Sequence, residues 1–172
     1  RLACRAATRL APGLRLASRC QCAVPRPKIN AMMGPNEEPQ ALLIVQQAKS
    51  LMAKASPRER ALINALEKRY SGNTGDRTAN DQAYAEAMHE VHQRFPDDPD
   101  IAMLYVESVM DLRPWGYWMR DGPPYEGTAE IVALTEEVMR RNPRHPRALP
   151  MYIPRMAPTS TPDRAETSPA PP

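Results

Sequence analysis

The prolines of this chain decide where it can be helical. Twenty of its 172 residues are proline, and each removes a backbone donor and clashes with the preceding turn. Their spread is uneven. Nine lie between Pro143 and Pro172, five between Pro12 and Pro39, and only six serve residues 40–142. Sustained helix is therefore expected in the middle, within about one domain's length of chain.

Charge divides the chain at the same place. No acidic residue precedes Glu37, and residues 1–36 carry +7. The whole chain is +3, so the remainder balances at −4, the difference between the two. The basic character belongs to the arm, and a slightly acidic core lacks the basic face that nucleic acid requires. All three cysteines, Cys4, Cys20 and Cys22, lie in this arm, and their odd number argues against a disulfide framework. Cys20-Gln21-Cys22 has neither a neighbouring histidine nor zinc-site spacing. No apolar run approaches the ~20 residues of a membrane span. The leader is Arg-rich and acid-free like a transit peptide, but it has few serines. Localisation stays open, with the cytoplasm as default. The first residue is Arg, which suggests a fragment.

Periodicity in the middle predicts five helices. The first, about 39–54, places Ala41, Ile44, Val45, Ala48, Leu51 and Met52 on one stripe. The second starts at Ser56-Pro57 with Glu59 completing a capping box, and buries Leu62, Ile63, Leu66 and Tyr70 before Gly72 ends it. The third, about 79–95, carries Tyr84, Ala87, Met88, Val91 and Phe95, and Pro96 stops it. The fourth opens at Asp98-Pro99, shows Ile101, Leu104, Tyr105, Ser108, Val109 and Leu112, and ends at Pro114. The fifth, about 128–141, carries Ile131, Leu134 and Val138 and the less regular Val132 and Met139, with Gly127 or Thr128 as cap and Pro143 as stop. No alternating β-branched run competes, so the fold class is all-α.

The punctuation repeats. Cap-proline pairs occur at Ser56-Pro57, Asp98-Pro99 and His145-Pro146. The strings "RFPDDPD" at 94–100 and "RNPRHPR" at 141–147 match in Arg, Pro and Pro at a spacing of 47. Each ends one helix and starts another, as in arrays whose hairpins cannot bury their apolar faces alone.

"FPDDPDIAMLYVESVMDL" followed by "NPRHPRAL" resembles tetratricopeptide repeats. More narrowly, "SPRERALINALEKRY", "LYVESVMDLRPWGYW" and "LPMYI" resemble a group of uncharacterised bacterial tetratricopeptide-repeat proteins, over roughly residues 28–152. The resemblance implies antiparallel helix hairpins stacked as a short solenoid. It carries no known activity. That group has an apolar helix where this chain reads "SRCQCAVPRPK", and histidines where this chain has Pro150 and Pro154. Those prolines are expected to break the next helix, and both ends are expected to be truncated, degraded or out of frame. The expected organisation is a disordered basic arm over 1–37, a helical-repeat domain over 38–148 and a disordered Pro-rich tail over 149–172.

A standard repeat is ~34 residues long, so a spacing of 47 must accommodate an insertion. It falls in "RPWGYWMRDGPPYEG", residues 113–127, which holds both tryptophans and two of the six tyrosines. Two roles are open. Trp115, Tyr117 and Trp118 can fold back as an apolar cap on their own hairpin. Alternatively Arg113, Trp115, Tyr117, Trp118, Arg120 and Tyr125 form a binding platform, since Trp, Tyr and Arg dominate interaction hot spots.

Candidate chemistry is sparse. His89 and His92 stand one turn apart with Glu86 nearby, but no second ligand motif follows; His92 lies at the edge of the apolar stripe, His89 and Glu86 point away from it, and a solvated face is expected. Asp97, Asp98 and Asp100 sit where a helix start explains them. No phosphate loop, nucleophile elbow or Cys–His pair occurs in the middle. The expectation is a protein-protein interaction scaffold that binds another protein or peptide, with no catalytic residues, metal or cofactor. Its concave face would come from helices about 57–70 and 98–112, and self-association would use exposed helix edges, notably on the fifth helix. The alternative is a supporting segment of a larger metal-binding or enzymatic protein.

Overall fold

A computed structural model describes residues 37–70, 77–114, 116–119, 123–148 and 150–152. It contains α1 (Glu37–Ser50), a 3-10 turn (Met52–Lys54), α2 (Pro57–Arg69), α3 (Arg77–Arg94), α4 (Pro99–Leu112) and α5 (Thr128–Arg141). Among the described residues there is no strand, and the fold is all-α. Sequential helices pack together, α1 on α2 and α4 on α5. The arm before Glu37, its cysteines, Gly72, and the tail beyond Tyr152 lie outside the described residues. The chain divides into two compact units between Val91 and His92.

In the first unit, α1 buries Ala41, Val45 and Ala48. Ala48 joins Ala55 and Ile63 in one apolar cluster, with Ile44 and Met52 packed against it. The helix expected over 39–54 stops at Ser50. The chain then tightens, with Leu51 N–H donating to Ala48 O and Lys54 N–H to Leu51 O. A 3-10 turn advances three residues per turn, not 3.6, so Leu51 leaves the buried stripe and is exposed.

α2 opens as its sequence requires. Ser56 Oγ accepts from Glu59 N–H at 3.2 Å, and Glu59 Oε2 accepts from Ser56 N–H at 2.9 Å. Such a cap stabilises a helix by about 1 kcal/mol. The predicted face is buried: Leu62, Ile63, Leu66 and Tyr70.

Between α2 and α3 lies a charged cluster that periodicity does not reveal. Arg69 is buried at the end of α2, with Nε donating to Asp81 Oδ1 at 3.1 Å and its guanidinium 4.6 Å from the centre of the Tyr84 ring. Arg77 donates to both Asp81 oxygens, at 3.1 and 2.5 Å, and to Arg69 O at 3.3 Å. Its guanidinium lies 5.2 Å from the Tyr70 ring and 3.9 Å from Glu38.

Burial pushes the Tyr70 hydroxyl up to about 12, against the lowering influence of Arg69 and Arg77. Above the ordinary phenol range the unfolded chain loses this proton while the folded chain keeps it. Stability from neutral Tyr70 is therefore full below about pH 10 and lost as pH climbs towards 12, by about 2–3 kcal/mol. Phenolate absorbance followed beside circular dichroism should show this tyrosine ionising late, together with loss of helix. Early ionisation with helix intact would contradict its burial.

In the second unit, α4 begins at Asp98, whose Oδ1 accepts from Ile101 N–H at 3.0 Å. A single stripe was expected here, yet every residue from Ile101 to Val106 is buried, with Ser108 and Met110. A helix apolar nearly all round is a central helix. α4 and α5 run antiparallel. Asp97 pairs with Arg141 at 3.4 Å at one end, Tyr105 Oη donates to Glu130 Oε1 at 3.0 Å midway, and Val109 meets Gly127 at the other.

The two junctions 47 residues apart close with the same bond. Asp98 N–H donates to Phe95 O at 3.2 Å, and His145 N–H donates to Asn142 O at 2.9 Å. Pro150 does not break the chain here. Ala148 and residues 150–152 are helical, because proline in a first helical turn removes a donor that had no partner. Tyr152 is buried against Val132, with Met139 packed on both, and its hydroxyl donates to Glu136 Oε1 at 2.6 Å. Helical structure thus passes the limit expected at 148, and the edge of α5 expected to stand open is covered there by Tyr152.

Candidate functional site

The inserted segment between α4 and α5 folds as a small antiparallel clasp. α4 ends at Leu112, with Arg113 N–H still donating to Met110 O at 3.3 Å. Pro114 stops the helix, and Gly116 N–H donates to Arg113 O at 3.0 Å. Trp118 then faces Pro124 in an isolated antiparallel bridge. Its two bonds are Met119 N–H to Pro123 O at 3.2 Å and Tyr125 N–H to Tyr117 O at 3.0 Å. Neither bond uses an N–H of the bridging pair, so the missing N–H of Pro124 costs nothing there.

The clasp is fastened from below. Thr128 Oγ1 donates to Tyr117 O at 2.9 Å, and Thr128 N–H donates to Tyr125 O at 3.0 Å. Gly127 turns the chain into α5 at φ 81°, in the left-handed region that side chains disfavour.

The six expected platform residues separate by environment. Tyr117 is only 3% exposed and belongs to the interior, so it is no part of a presented surface. Trp118 and Tyr125 are half-buried. Arg113 is exposed, its guanidinium 4.8 Å from the centre of the Tyr125 ring. Trp115 and Arg120 lie outside the described residues. Met119, which composition alone did not mark, is 43% exposed beside Trp118. Among its described residues the clasp thus leaves accessible a cation resting on an aromatic face, a second aromatic and a thioether, residue types that suit apolar and π contacts.

His92, expected at the edge of the apolar stripe, is half-buried and stacks on Tyr105 with ring centres 5.8 Å apart. Glu86 is exposed and accepts from Gln82 at 3.0 Å. Among the described residues no group of three or more His, Cys, Asp or Glu side chains could hold a metal ion. No described helix is long and apolar enough to cross a membrane.

No protein-family model matches the chain, and no curated protein or solved structure matches it.

Proposed function

We propose that the chain is a protein-interaction scaffold of tetratricopeptide-repeat type, its hairpins stacked as a short solenoid, with no catalysis of its own. The observation that carries this is the equivalence of the junctions at 94–100 and 141–147, which share an Arg, two Pro and the turn hydrogen bond at a spacing of 47. The antiparallel α4–α5 pair and the helical turn after Pro146 fit a hairpin followed by the start of another.

α4 is too deeply buried to present much, whereas α2 exposes Arg60, Asn64 and Lys68 one turn apart. The partner surface is then the α2 line or the clasp, of which the clasp has the residue types that carry binding energy.

Selection of peptides from a random displayed library against the full chain tests this. Selected peptides should bind saturably and lose about tenfold or more in affinity on Tyr125→Ala or Arg113→Ala, a loss typical of hot-spot residues. Absence of any saturable peptide, or affinities that ignore substitutions in both the clasp and α2, would overturn the proposal. Stoichiometric metal in protein purified at neutral pH would instead favour a metal-binding role.

A further inference from the structure

We draw no further inference here: the strongest candidate, the apolar surface patch of Leu43 on α1 and Leu51 just beyond it, carries nothing, because nothing in the structure shows what covers it.

Discussion

Replacing Asp81 by Ala is expected to cost about 3–5 kcal/mol, enough to unfold the first unit of a marginally stable chain. Asp81 accepts from Arg69 and twice from Arg77, and the Arg69 side chain is only 3% exposed. Its removal takes the carboxylate away from a guanidinium that water cannot reach. Asp81→Asn keeps an acceptor oxygen and should cost less. Arg69→Met combined with Asp81→Leu should recover part of the loss, because removing a buried pair altogether is often tolerated where breaking it is not. Urea denaturation followed by circular dichroism ranks the three variants. If Asp81→Ala matched the parent chain, the cluster would be surface decoration and its burial would be wrong.

The second large effect belongs to the clasp. Tyr117→Ala is expected to destabilise the second unit by about 3–5 kcal/mol, as for other buried aromatics cut to Ala. The lost ring is interior, and its backbone carbonyl anchors both Tyr125 N–H and Thr128 Oγ1. Trp118→Ala, at a half-buried position, should cost clearly less in stability. It should act more on the peptide affinities described above. A thermal melt of each variant separates the two, and equal losses would show that the clasp does not divide into an inner and an outer face. Emission from tryptophan supplies an independent measure in the parent chain. A component resistant to a soluble quencher reports packing, and fully water-like emission with helical circular dichroism intact would place the whole clasp in solvent.

How far each feature was legible follows from the range of the forces behind it. The Ser56 box, the Asp98 cap and the stops at Pro96, Pro114 and Pro143 were readable, since their partners lie within a few residues. So were the buried residues of α2, where one stripe meets one neighbour. The all-round burial of α4 was not: periodicity shows which face is most apolar, and packing decides how many faces are covered. The aromatic clustering drew attention to residues 113–127, but composition gave Tyr117 and Trp118 the same standing. Pairing across the bridge put one inside and left the other at the surface.

By itself the sequence determined the fold class, the places of the five long α-helices among the described residues and the chemistry of their ends. Each depends on backbone donors, caps and proline geometry that act within a turn or two of chain. Tertiary structure alone decided the rest. It set Arg69 and Arg77 on a single carboxylate, laid His92 on Tyr105, seated Tyr152 over α5 and aimed His145 at both Asp100 and its own helical turn. Most of these partners lie 12 to 45 residues apart or come from different helices. Local pattern carries no information about such meetings, because what fixes them is the shared cost of leaving apolar surface in water and polar groups unpaired away from it.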